Sequence, residues 1–190
     1  MSKSETLEQK KPPKEADKEP VETFPSAELL LSVIQSEYTV EAERKRDFES
    51  RSGILIALLG ALIGFYGTEV DFSFFNKADS SLEIVSIIFI SLLYIFPVIM
   101  LLISFKHLLN VLKTKEYQRI GLGGFTVEVS KIQRDDVAKR LMVHYKDIVT
   151  RNGKENDAKA NEFKLGIKNL YIALIAIVVV FFIKEIITII

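Results

Sequence analysis

From Ser52 to Gly67 the chain runs sixteen residues without a charged side chain, whereas Ala42 to Arg51, just before, is dense in Glu, Arg, Lys and Asp. A helix that stays in water distributes apolar and charged residues around its circumference, leaving an apolar stripe along its length. Separation along the axis instead of around it is what a change of solvent requires, from water to hydrocarbon. Two further blocks are longer and mainly apolar: Leu82 to Phe105, and a stretch that begins near Ile167 and runs through "LYIALIAIVVVFFIKEIITII". A chain of 190 residues would otherwise read as one or two modest soluble domains. The clustering overrides that reading and predicts an all-α integral membrane protein with three transmembrane helices and a cytoplasmic helical hairpin or bundle.

The predicted organisation follows the composition. Residues 1–24 are rich in Lys, Glu and Pro and poor in large apolar groups, and are expected to be a disordered cytoplasmic tail. They show no apolar core followed by a small-residue cleavage site, so no export signal is expected. Residues 25–52 form a charged amphipathic helix, 53–72 a first span, 73–81 an external loop, 82–105 a second span, 106–165 a cytoplasmic helical region and 166–190 a third span.

The charged helix is expected to start at Pro25 and Ser26, where Ser can cap free backbone N–H groups. Leu30, Ile34, Tyr38 and Ala42 fall on one stripe, and Glu41/Lys45 and Asp47/Arg51 are spaced to pair. No Gly or Pro interrupts residues 26–52, so one rod can run from water into the bilayer. Its apolar part, Gly53 to Tyr66, is short against the about 20 residues that a span needs. It gains length if Arg51 extends toward the headgroups on one side and Val70, Phe72, Phe74 and Phe75 lie in the interface on the other.

Within this span Gly53, Ala57, Gly60, Gly64 and Gly67 recur at steps of four, three, four and three. Lipid offers no hydrophobic drive toward helix association, and close backbone approach over small residues is a main source of packing energy there. The seam is therefore the candidate helix-packing and oligomerisation surface, toward a helix of the same chain or of a neighbour. Pro97 is expected to kink or weaken the second span. Lys184 and Glu185 either mark the far interface, which their place near the end of the third apolar block favours, or line a water-filled path between helices.

Basic residues set the orientation. Nine precede the first span, Lys77 alone lies between the first two, and fourteen fall from Lys106 to Lys168. The positive-inside rule then places the N-terminus and the middle region in the cytoplasm of an inner-membrane protein, and three spans leave the C-terminus outside.

In the middle region, "GLGGF" lacks the Lys-Ser/Thr of a phosphate loop and the strand–turn–helix setting of a dinucleotide fingerprint, and reads as a turn. Val137, Leu141, Tyr145, Ile148 and Asn152 follow helical spacing, and this face is expected to pack on the helix of Leu30 to Phe48. "RNGKEND" is expected to end that helix at Asn152 or Gly153, with a new helix from about Asn156. The alternative is an unbroken helix in which buried Asn152 and Asn156 set register.

Balanced charge, 25 basic and 25 acidic residues, gives no field that would draw nucleic acid. With no cysteine and only His107 and His144, neither a metal site nor a cofactor is expected. No nucleophile motif and no carboxylate pair in an apolar setting is present, so the chain is read as no enzyme. Glu41, Arg44, Asp47, Arg51, Asn152 and Asn156 remain as a candidate gating or partner surface.

The run "SEYTVEAERKRDFESRSGILIALLGALIGFY", a charged helix feeding a short glycine-rich span, is followed by a second span and a further cytoplasmic helix. This layout resembles that of small bacterial multi-span membrane effectors, the SLATT-type and related families of nucleotide-signalling anti-phage systems. The resemblance implies an oligomer that permeabilises the inner membrane when a linked sensor protein or small nucleotide activates it. The chain departs from the two-span pattern by its third span and carries no recognisable nucleotide-sensing domain. The expected function is an oligomeric pore-forming or membrane-disrupting effector. The alternative is a non-conducting scaffold or accessory subunit that recruits a cytoplasmic protein.

Overall fold

The computed structural model describes residues 24–69, 81–113, 117–124 and 126–189. Three long helices form the protein: α1 (Ala27–Glu69), α2 (Ser81–Leu112) and α3 (Arg134–Ile189). All three are long and apolar enough to cross a membrane, and among the described residues there is no strand. The fold is thus all-α with the segregated composition of a multi-pass membrane protein. Residues 1–23 of the expected tail and the interfacial Val70, Phe72, Phe74 and Phe75 lie outside the described residues.

α1 begins where expected. The Ala27 N–H donates to the Phe24 carbonyl at 3.0 Å and the Leu30 N–H to the Ser26 carbonyl at 3.0 Å, closing the first turn directly after Pro25. From there one helix of 43 residues runs through the charged segment into the apolar one, about 64 Å at about 1.5 Å per residue. Its inward face is a continuous seam of Ala27, Leu31, Ile34, Tyr38, Glu41, Lys45, Phe48, Ser52, Leu55, Leu59, Leu62 and Tyr66, each buried or half-buried. The steps alternate between four and three residues, the 3.5-residue spacing of left-handed helix packing.

α1 and α3 run parallel and pack directly on each other, and α2 packs antiparallel against both. Tyr38 meets Tyr145 edge to face at 5.7 Å, and Phe48 meets Phe163 at 5.8 Å. The expected face of α3 does pack on the charged half of α1, with Ala138 and Ile148 buried along it. In the apolar half, Leu59, Leu101, Leu108, Leu170 and Ala173 form the three-helix core. Outward from that core stand Ile54, Phe65, Val85, Phe89, Leu92, Tyr171 and Phe182, all exposed. So much apolar side chain on every outer face is untenable in water and ordinary in lipid.

Two details of α2 bear on its packing. The helix passes through Pro97, which is buried and gives no N–H to the preceding turn. The Tyr66 hydroxyl donates to the Tyr94 carbonyl, three residues before that proline, at 3.2 Å. At the other end α2 continues past the apolar block and ends at Leu112, while residues 117–120 are not helical.

α3 corrects the expected break. It is a single 56-residue helix through Asn152 and Gly153, with no positive φ at either. A mid-helix Gly costs about 1 kcal/mol relative to Ala. That cost is outweighed because Asn152, Asn156 and Lys159, all buried, make their contacts only if the helix keeps its phase past residue 153. The unbroken helix with buried asparagines is the arrangement found. Within "GLGGF" the described part is a turn as read: Leu122–Gly124 form one turn of 3-10 helix, and the glycines adopt ordinary negative φ.

Candidate functional site

The densest polar chemistry lies where the charged half of α1, the C-terminus of α2 and the middle of α3 converge. Successive inward turns of α1 supply Glu41, Lys45, Glu49 and Ser52, while α3 supplies Asn152, Asn156 and Lys159. Lys159 is only 4% exposed, and its Nζ donates to Glu49 Oε1 at 2.5 Å and to the Val111 carbonyl at 2.8 Å. One ammonium therefore joins all three helices. It also sits at the C-terminal turn of α2, where unpaired carbonyls and the helix dipole favour a cation.

The two asparagines serve different partners. Asn156 Nδ2 donates to the Glu41 carbonyl at 2.8 Å and to Glu41 Oε2 at 2.6 Å, locking α1 to α3. Asn152 grips the segment that follows α2. Its Oδ1 accepts from the Gln118 N–H at 3.0 Å and its Nδ2 donates to the Gln118 carbonyl at 3.1 Å. The two-point clamp holds residues 117–120 against the bundle, with Lys45 Nζ 4.7 Å from the Tyr117 ring centre. Burial pushes the Tyr117 phenol above its usual range, and the nearby Tyr38 and Glu41 add to this.

A second cluster lies one to two turns nearer the apolar core. His107 Nδ1 donates to Glu162 Oε2 at 2.9 Å, and Asn110 Nδ2 donates to the same oxygen at 3.0 Å. These bonds, Asn110 first, hold the Glu162 carboxyl below the usual carboxylate range. Next to them Ser104 Oγ donates to the Gly166 carbonyl at 2.7 Å. A Cβ at Gly166 would lie 2.8 Å from both Leu108 Cγ and Leu108 Cδ2. Gly166 is thus the residue over which α2 and α3 approach most closely among the described glycines, and no spacing motif singled it out.

The predicted site residues divide into two groups. Glu41, Asn152 and Asn156 come together in the buried junction, so they join helices instead of presenting a surface. Arg44, Asp47 and Arg51 line a cleft of about 540 Å³ on the outer side of α1. Arg44 reaches Asp157 of α3 at 2.7 Å, and this bond raises its already high pKa. Arg51 pairs with Asp47 at 3.4 Å in the expected i, i+4 geometry.

The small-residue seam turns outward. Gly53, Ala57, Gly60, Gly64 and Gly67 are all exposed, and a Cβ built on any of the four glycines meets nothing within 4 Å. Neither α2 nor α3 uses this face. Lys184 and Glu185 lie in the continuous last turns of α3. The parallel register through Phe48 and Phe163 sets Lys184 level with position 69, and that through Glu49 and Lys159 sets it level with 74. Both put the pair at or just past the end of α1 at Glu69.

Two further features escaped the sequence. A cleft of about 720 Å³ opens between Glu28, Leu31 and Gln35 of α1, Val129 and Ile132 of the connecting segment, and Val137 and Leu141 of α3, with Glu28 paired to Arg134 at its edge. Lys159 carries no sequence signal of its own, because its neighbours are set by the unbroken phase of α3. Among the described residues no group of acidic, His or Cys side chains is placed to hold a metal ion. Comparison with protein-family models, with curated proteins and with solved structures finds no match to this chain.

Proposed function

We propose that the protein is an oligomeric inner-membrane effector, which opens a pore or disrupts the bilayer when its cytoplasmic helices receive a signal. The observation that carries this reading is the outward Gly/Ala face of α1, which no described residue of the chain covers. In lipid such a face gains packing energy from a neighbouring helix that approaches closely, and the copy in the same membrane is the available one. The long α1 supports the coupling, since one rigid helix links the polar junction to the span that would assemble. Orientation in this reading follows the basic residues, with the charged halves of α1 and α3 in the cytoplasm. The anti-phage role, with a sensor protein or small nucleotide as trigger, is the form suggested by the resemblance to SLATT-type effectors.

One observation favours the second reading, a non-conducting scaffold whose polar half recruits a protein. The outer faces of the spans expose mainly aliphatic and aromatic side chains, and a water-filled path needs a polar lining. Dye and ion leakage from liposomes containing the purified protein separates the two, with Gly60→Leu/Gly64→Leu as the paired variant. Leakage by the wild type that is lost with assembly in the variant supports the effector. Leakage retained by a verified monomer removes the assembly mechanism, and tight membranes with inserted, assembled wild type favour the scaffold.

A further inference from the structure

The first third of α1 carries two apolar seams. The inward one, Ala27, Leu31, Ile34 and Tyr38, packs on α3. The other consists of Leu29, Val33 and Val40, which are 67%, 51% and 50% exposed, with Ser36 between them. Its steps of four, three and four residues repeat the spacing of a helix-packing seam on a face that no helix among the described residues covers. The outward face of α3 at the same end is different. Arg140, His144, Asp147, Arg151 and Lys154 are exposed there, with Val143 among them, which is the composition of a solvated face. Three large aliphatic residues in register on one helix are not explained by solvation.

We infer that the Leu29–Val33–Val40 face is a parallel coiled-coil contact with the same face of a second copy of this chain. The inference rests on the proposed assembly through α1 and extends it out of the membrane. The seam is collinear with the span: continued at 3.5 residues it passes Glu43, Asp47 and Ser50, then Ile54, Ala57, Ala61 and Gly64. A bilayer holds every copy of α1 in one direction and at one depth, so the identical seam of a second copy arrives parallel and in register. A soluble partner has no such alignment. Charge does not add to this contact: in register Glu43 and Asp47 each face their own copy, and Arg46 and Arg51 beside the seam partly offset that repulsion, so the attraction comes from the aliphatic positions in water and the small ones in lipid. The division of labour is physical: aliphatic side chains provide the contact in water, and small residues provide it in lipid, where aliphatic burial gains nothing.

The chain contains no cysteine, which makes a direct test available. Single variants Val33→Cys, Val40→Cys, Gly60→Cys and Asp147→Cys are placed in the full chain in native membranes, oxidised, and run on non-reducing gels. Val33→Cys and Val40→Cys are expected to form dimers at severalfold the yield of Asp147→Cys, an exposed position on the solvated face of α3. In a Leu29→Glu/Val33→Glu background the Val40→Cys dimer is expected to fall severalfold, although neither substitution touches the α1–α3 seam. Dimer at Gly60→Cys with only the Asp147→Cys background at Val33 and Val40 overturns the extension and leaves the membrane assembly standing. Background yield at all four positions overturns both.

Discussion

Gly166→Ala tests the central packing claim, because two opposing effects meet at one methyl group. The new Cβ would sit 2.8 Å from Leu108 Cγ and Cδ2, against an ordinary carbon contact of about 3.5 to 4.0 Å. Leu108 is fully buried in the core with Leu59, Leu101, Leu170 and Ala173, so it cannot swing into open space. Overpacking of this kind costs about 1–3 kcal/mol, while replacing a mid-helix Gly by Ala returns up to about 1 kcal/mol. The expected net is a destabilisation of about 1 kcal/mol. In a Leu108→Ala background the obstructing atoms are gone, and the next nearest atom, His107 Cβ at 3.6 Å, is an ordinary contact. There the same substitution is expected to stabilise by up to about 1 kcal/mol, giving a coupling near 2 kcal/mol. Reversible unfolding of the four proteins of this cycle in mixed detergent micelles measures it. An identical effect of Gly166→Ala in both backgrounds would refute the close approach of α2 and α3 at this residue.

Three other outcomes follow from the polar junction and the cluster beside it. Lys159→Met leaves Glu49 without its short partner and the Val111 carbonyl without its ammonium. It is expected to cost about 3 kcal/mol and to raise amide exchange selectively in the last turn of α2, as read by hydrogen-exchange mass spectrometry. Asn152→Leu removes both bonds to Gln118, worth about 2 kcal/mol together. Tryptic cleavage after Arg119 should then accelerate by roughly 30-fold, and an unchanged rate would show that the clamp does not hold the segment. The Glu162 carboxyl is held below its ordinary value of 4.5, so its contribution is complete above that pH and is lost as the pH falls through the depressed folded value. The stability gap between wild type and Glu162→Gln should accordingly shrink as the pH is lowered below 4.5, as followed by thermal midpoints in a descending pH series.

Much of this architecture was legible because it depends on solvent, and solvent preference is carried residue by residue. The block from Ser52 to Gly67 and the charged run before it require a helix that leaves water, whatever its neighbours. The helix start after Pro25, the turn at Leu122–Gly124 and the packing of Tyr145 on α1 follow from local spacing and backbone chemistry, and the structure has them. The break expected at Asn152 and Gly153 failed on the same local reasoning. Both residues have the intrinsic preferences of a helix end, and those preferences are worth about 1 kcal/mol. Partners distant in sequence, Gln118 for Asn152 and Glu41 for Asn156, outweigh them.

The sequence by itself determined that three helices are long and apolar enough to span a membrane and that their polar extensions lie together at one end, since each apolar block had to meet hydrocarbon and each charged block water. Which faces meet was decided by the tertiary structure, because a helix of 43 residues offers several plausible seams and energy is gained only where another helix fits. The glycines with the clearest motif face outward, while Gly166, which has none, takes the closest contact. Lys159 became the residue that joins all three helices only through the phase of α3 and the point at which α2 ends. Spacing shows which residues share a face of one helix, but the neighbour of that face is set by the packing of the whole bundle.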